Sequence, residues 1–448
     1  MTAIQIIAIV VVILAVIAMN YLPVKGWNIT IVSFGLAIIC ALVNAYAMPP
    51  LACVNTGLTI VGTIMGTMLP LFVFGAVLGE IYNRSNASVT IARIICAPFK
   101  NVKNERTKAF LTILLILVVR AILGLAGFNN IAIMPLMIAI VGMVFARCNY
   151  PRKYVATILL IAGEIQILVP GVPTTEMVLL EQYIQGFTRT TMFVPRLIIL
   201  LVYIFVAALI MMISVRKDVD KGIGWEQGNM RMIADIDTKE KCPNIILTLI
   251  PLVAIYVTFA ILKWDAWLSL IIGVVCAVLC LGWYIKGKSP EEGRGASILN
   301  TINEGAFKLP LAICGCMLFG IVMTFTDAWM NIQNWLGSLP VHPAILMAIL
   351  AIIITLATGT QGAAPILGSV FASVCLPAGL SPAAAGIIIL VGYVCLDTVP
   401  NNIGLIMQCD LTDTTVKATY PSVFKTTVAL SLGIAVVVTV LSIVKVFG

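Results

Sequence analysis

The chain has 448 residues, 61% of them hydrophobic and 10% charged, and a mean hydropathy of +1.10. Soluble domains carry about 25% charged residues, so an ordinary water-soluble fold is excluded; the apolar runs approach the ~20 residues that take a helix across a bilayer, and no period-two alternation marks a membrane β-barrel. The net charge of +8 fits basic residues gathered in cytoplasmic loops rather than a nucleic-acid surface, and no nucleic-acid partner is expected.

The first run, MTAIQIIAIVVVILAVIAMN, has no basic n-region and no small-residue cleavage site, so it reads as a first transmembrane helix rather than a signal peptide. Apolar segments follow at 28–47, 58–82, 109–126, 131–146, 153–170 and 193–214. The stretch from Arg216 to Lys241 then holds six basic and six acidic residues and predicts a cytoplasmic linker over 216–243. Further apolar segments lie at 244–262, 266–285, 298–326, 343–358, 363–378, 383–398 and 421–446. Most of the twelve cysteines fall inside apolar runs, where they act as small hydrophobes. No disulfide framework follows from them.

The two series superimpose. LPVKGWNITIVSFGLAIICAL from Leu22 matches ILKWDAWLSLIIGVVCAVLC from Ile261, Pro70 and Gly75 match Pro310 and Gly315, LVPGVPT at 168–174 matches LDTVPNN at 396–402, and Pro195 matches Pro421. The sequence therefore predicts an all-α polytopic membrane protein of two repeats, 1–215 and 244–448, each with five transmembrane helices and one hairpin, at 109–146 and 343–378. Five crossings are odd, so the second repeat is expected to be inverted. With the N-terminus outside, 22 of the 27 basic residues fall in cytoplasmic segments, which fixes the expected orientation.

Inverted repeats with interrupted helices are the pattern of secondary transporters, whose sites lie near the midplane. Each half has two candidate interruptions. GLAGFNN, with Gly127, Phe128, Asn129 and Asn130, divides the first hairpin, and TGTQGAAP, with Thr358, Gly359, Thr360, Gln361 and Gly362, divides the second. Surface loop tips are the plainer alternative for this pair. LVPGVPTTE, with Pro170, Gly171, Pro173, Thr174 and Thr175, and LDTVPNN, with Thr398, Pro400, Asn401 and Asn402, each follow a run too short to span comfortably. Such unwound backbone survives in a bilayer only beside protein or a water-filled cavity, and a helix restarting after it would aim its positive end at an anion.

Ionisable residues inside apolar runs are costly and each needs a role. Asp397, at the second break, and Glu164, six residues before Pro170, are the candidates for ion coupling; the alternative for Glu164 is a partner for Arg120. Arg120 could attract a carboxylate. Glu80 and Asp327 sit at expected helix ends, as interfacial caps. The single histidine, His342, falls in an expected outside loop and offers no relay. No Walker A, HExxH or GxSxG motif and no metal cluster occurs, so neither an enzyme nor a cofactor is expected.

LVPGVPTTE and LDTVPNNIGLI, followed by QCDLTDTTVKATYPSVFK, resemble the gluconate permease family of proton symporters, in particular its hydroxybutyrate-permease-like branch, within the ion transporter superfamily. Pro170, Gly171 and Pro173 match the first signature of that branch, and Leu396, Asp397, Thr398, Pro400 and Asn402 the second; Asn401 stands where a histidine is usual and Val172 where a threonine is. The resemblance implies a cytoplasmic-membrane homodimer of elevator type that moves a small carboxylate, such as a hydroxy acid or sugar acid, with H⁺, Na⁺ being the other coupling ion considered. A cation/proton antiporter and a non-transporting membrane scaffold or enzyme subunit are the rival readings.

Overall fold

The computed structural model describes residues 3–24, 27–44, 48–96, 102–125, 130–172, 174–226, 242–262, 264–285, 293–306, 311–399 and 403–447. Every regular element among them is helical, as apolar runs in hydrocarbon require, because a helix satisfies its backbone polar groups within one segment. The first half is built of α1 (Ala3–Val24), α2 (Ile29–Asn44), α3 (Pro50–Arg84), α4 (Ala87–Cys96), α5 (Glu105–Leu125), α6 (Asn130–Arg147), α7 (Lys153–Leu168), α8 (Thr175–Tyr183) and α9 (Phe193–Val219). The second half is built of α10 (Ile245–Tyr256), α11 (Ala266–Leu281), α12 (Arg294–Ala306), α13 (Leu311–Thr324), α14 (Asp327–Gly337), α15 (Pro343–Val370), α16 (Pro382–Cys395), α17 (Ile403–Leu411), α18 (Val416–Val423) and α19 (Leu430–Ile443).

Among the described residues, four unbroken stretches are long and apolar enough to cross a membrane: Glu105–Leu125, Phe193–Val219, Trp267–Tyr284 and Val416–Ile443. With the shorter apolar helices around them they make an all-α polytopic membrane protein. The halves also repeat their order of elements: two apolar helices, a longer stretch (α3, or α12 with α13), an amphipathic helix (α4 or α14), a hairpin, a broken helix and a long closing helix. Packing follows the same exchange. α2 packs on α13 and α11 on α3, while α3 packs on α6 and α13 on α15. Two boundaries differ from expectation. α9 runs on through Arg216 to Val219, with Arg216 and Lys217 in its last turn, where they complement the helix dipole; most of the remaining linker, 227–241, lies outside the described residues.

The second hairpin is the other. Instead of an eight-residue loop at TGTQGAAP, α15 carries one non-helical residue, Gly359, at φ 70° and ψ 170°. Yet the chain does reverse there: Cys375 Sγ lies 3.8 Å from Pro343 O, whereas a straight helix would hold those residues ~48 Å apart. The first arm, residues 343–358, is then ~24 Å long, short of the ~30 Å hydrocarbon core. The second hairpin thus turns at Gly359 between two short apolar arms, with its tip inside the fold.

Candidate functional site

α7 and α16 pack side by side at the centre of the molecule, flanked by α9 and α19. α7 ends because Pro170 has no backbone N–H to offer and Gly171 turns to φ +81°. A side chain at Gly171 would meet the Phe193 ring at 2.9 Å, so glycine is required twice over. The freed carbonyls are met from α9: buried Arg196 donates to Arg189 O at 2.9 Å and to Val169 O at 3.4 Å, and Gly171 N donates to Arg189 O at 2.9 Å. Thr174 then caps α8, its hydroxyl accepting from Met177 N at 3.2 Å. α16 stops at Cys395, with Leu396 leaving helical geometry, and Thr398 shares a short hydrogen bond with Thr427.

The expected segments meet at the end of α7. Gly124, near the end of the first hairpin's α5 arm, lies against Val169 and Gln166. The second hairpin brings Thr360 Oγ1 to 3.5 Å from Glu176 Oε1 in the first turn of α8. Thr358 and Thr360 are 2% and 5% exposed, so this tip is buried in protein rather than held at a membrane surface. Tight packing fixes it: Gly320 on α13 faces Gly362 O, and a Cβ on Gly362 would lie 2.9 Å from Cys316 O. Pro170, Thr174, Thr175 and Thr398 are buried around the two breaks, and Gly171 partly so. Gly127, Phe128, Asn129, Pro173, Pro400, Asn401 and Asn402 lie outside the described residues, and Asn130 and Gln361 are described by backbone alone.

The acids divide as the helix period requires. Glu164 and Gln166 are two residues apart on α7, so they point ~200° away from each other. Arg120 Nη2 donates to Gln166 Oε1 at 2.5 Å. Glu164, 1% exposed, takes the opposite side, and no ion pair joins it to Arg120, which removes the pairing considered from the sequence. Glu164, Glu176 and Asp397 instead lie within electrostatic reach of one another. No basic side chain among the described residues forms an ion pair with Glu164 or Asp397. Nor is any group of three His, Cys, Asp or Glu among those residues placed to hold a metal ion. The expected capping residues behave differently: Asp327 opens α14, while Glu80 lies inside α3 and accepts from Arg84 Nε at 3.0 Å.

The fold resembles that of the YdaH transporter of Alcanivorax borkumensis. The two superimpose with a TM-score of 0.55 at 13% identity, over 94% of this chain and 98% of that one, a likeness of fold alone. No protein-family model matches the chain, and no curated protein matches its sequence. The resemblance to the gluconate permeases thus rests on the two proline signatures.

Four residues that bear on the site did not emerge from the sequence: Gln166, Arg196, Thr427 and Glu176 as a contact of the second hairpin. Arg196 carried a signal, a basic residue at the start of an apolar run. Gln166 and Thr427 carried none, being ordinary polar residues whose partners lie on distant segments.

Proposed function

We propose that the chain is a secondary active transporter, a symporter of a small organic anion coupled to H⁺ or Na⁺. One observation carries the reading: two helices broken at corresponding places, α7 and α16, lie side by side in the middle of the fold, with the tip of the second hairpin at the first break. Interrupted helices in inverted repeats are the usual frame of a midplane site. The two restarting helices differ in a way that suggests where the anion sits. α8 already carries Glu176 in its first turn, whereas α17 has no acid there, so the α17 end is the better seat for a carboxylate. Pro170, Gly171, Pro173, Thr174 and Thr175, with Thr358 to Gly362, Thr398 and Pro400 to Asn402, and Gly127 to Asn130 of the first tip, would line the path. Asp397 and Glu164 would couple the ion. Carboxylates without a cationic partner among the described residues make anion binding unfavourable until a proton or cation arrives, which is the requirement of obligatory symport.

A hydroxy acid or sugar acid is the substrate class favoured by the resemblance of the two signatures to the gluconate permeases, and movement of the α5–α9 and α15–α19 helices against the rest would be an elevator step. The test is uptake by proteoliposomes of gluconate, 3-hydroxybutyrate, glycerate and citrate under imposed H⁺ and Na⁺ gradients. Accumulation of one of them under one gradient is expected; none under either refutes symport. Cation/proton antiport is favoured by the unpaired acids Glu164 and Asp397, and would appear instead as Na⁺- or K⁺-dependent proton efflux without organic anion.

A further inference from the structure

A polar cluster lies deep in the same bundle, behind the two breaks and within electrostatic reach of them. Glu164 on α7, Tyr203 on α9 and Ser431 on α19 are 1%, 0% and 1% exposed. α9 packs on both α7 and α19. Tyr203 is ten residues into α9 and Ser431 fifteen residues into the α18–α19 span, so both sit at mid-membrane depth. Among the described residues, Glu164 Oε2 has no hydrogen-bond partner, and Tyr203 Oη and Ser431 Oγ have none besides each other. The Tyr203 hydroxyl lies beside Ser431 and within electrostatic reach of Glu164 and Cys395.

Three buried polar groups drawn from three packed helices, one of them a carboxylate with a bare oxygen, are not how an apolar core packs, since Phe, Ala or Leu at the same positions would avoid their desolvation cost. They are what a small polar guest requires. A metal cation does not suit the place. α7 is unbroken around Glu164, so its carbonyls there are taken up by the helix, and the many-oxygen shell of a hard cation cannot be completed from one carboxylate and two hydroxyls. Cation sites in broken-helix transporters draw on unwound carbonyls, which here belong to the Asp397 break. A proton needs only the carboxyl, and a buried water is held by about three hydrogen bonds.

We propose that Glu164, Tyr203 and Ser431 form a buried proton-binding site, in which the Glu164 carboxyl carries the proton and the two hydroxyls hold it through one bridging water. The coupling role of this site rests on the symporter reading; the binding of the proton does not. The titratable groups facing Glu164 are Asp397 and Cys395 from the end of α16, Glu176 from α8 and Tyr203 from α9. Arg120 on α5 addresses the other side of α7 through Gln166. Among the described residues, α6, α17, α18 and the π-helical segment Phe424–Ala429 add no charge acting on it.

Infrared titration of the purified full-length protein in detergent tests the binding. The wild type should show the carbonyl stretch of a protonated carboxyl that is lost in Glu164→Gln and displaced in both Tyr203→Phe and Ser431→Ala. A spectrum unchanged by Glu164→Gln, or a band that stays in place in either hydroxyl variant, overturns the site whatever the chain transports. In proteoliposomes, Glu164→Gln should lose proton-driven accumulation, and Tyr203→Phe should weaken it. Wild-type accumulation by Glu164→Gln overturns the coupling role and leaves the transporter reading intact. A wild-type band lost in Glu164→Gln, in a protein that moves no organic anion, refutes the transporter reading and supports the proton site.

Discussion

Arg196 shows how a charged side chain becomes affordable inside a membrane bundle. Its guanidinium bonds the Val169 carbonyl that the α7 break leaves open and the Arg189 carbonyl of the loop before α9, and its Cζ lies 5.8 Å from the Phe187 ring centroid. Arg196→Met keeps the apolar stem but strands the Val169 carbonyl and leaves Arg189 O only the Gly171 N–H, at a cost of about 1.5–3 kcal/mol for bonds to a charged donor. A lower unfolding midpoint in detergent is expected, with Arg196→Lys recovering part of it; an unchanged midpoint in Arg196→Met would show that water meets those carbonyls. Gly171→Ala should cost roughly 1–2 kcal/mol from backbone alone, because its φ of +81° is left-handed, and the Phe193 ring would have to yield as well. The same scale explains what the sequence could not say about Arg120. α7 is buried on nearly every side, so no polar stripe shows which of Glu164 and Gln166 faces α5. The sequence offered only Glu164 as that partner, and the rotation of the helix gives the place to Gln166.

At the scale of elements, the second hairpin gives a test by sign. Were α15 one continuous helix, Gly359→Ala would stabilise it by about 1 kcal/mol, the ordinary difference in helix propensity. Gly359 instead sits at φ 70° and ψ 170°, a region reserved for glycine, and forcing alanine into it should destabilise by roughly 1–3 kcal/mol. Thermal unfolding of Gly359→Ala therefore distinguishes a hairpin turn from a straight span, and a gain in stability would remove the hairpin. The glycines and polar residues of TGTQGAAP did announce an interruption. Its economy was hidden, because Gly362 and its neighbours look like loop residues but serve close helix packing against α13. Thr398 and Thr427 make a second pair of this kind, joining the α16 break to the π-helical segment Phe424–Ala429 that links α18 to α19. Thr398→Val and Thr427→Val should each cost about 1 kcal/mol, and the double variant less than their sum, because one shared hydrogen bond is removed twice. Strict additivity would mean that the two hydroxyls act through other partners.

At the scale of the whole molecule, the repeat was legible because order and offset survive in the sequence, whereas the choice of neighbours was not. In lipid every helix surface is apolar, so no contrast between faces tells α2 to pack on α13 rather than on α10. The structure supplies what composition could not: the polar contacts sort the loops into two sets. Arg84 with Glu304, Arg152 with Asp413, Lys153 with Asp218 and Arg216 with Glu105 all join segments that five crossings per half put on one side. Ser381 with Phe447 O, and Gly186 against Pro382, join segments on the other. Contacts alone do not say which side is cytoplasmic; the charge rule predicts that the first set is, since it belongs to the segments that hold 22 of the 27 basic residues. A cysteine at exposed Lys221 and another at exposed Val341 should thus label oppositely with a membrane-impermeant maleimide. In intact cells Val341→Cys is expected to react and Lys221→Cys to stay protected; inside-out vesicles should reverse the pattern. Reaction of both from one side would break the parity of the halves. The reverse assignment would instead keep the fold and turn the molecule over, placing the basic loops outside against the charge rule that governs insertion.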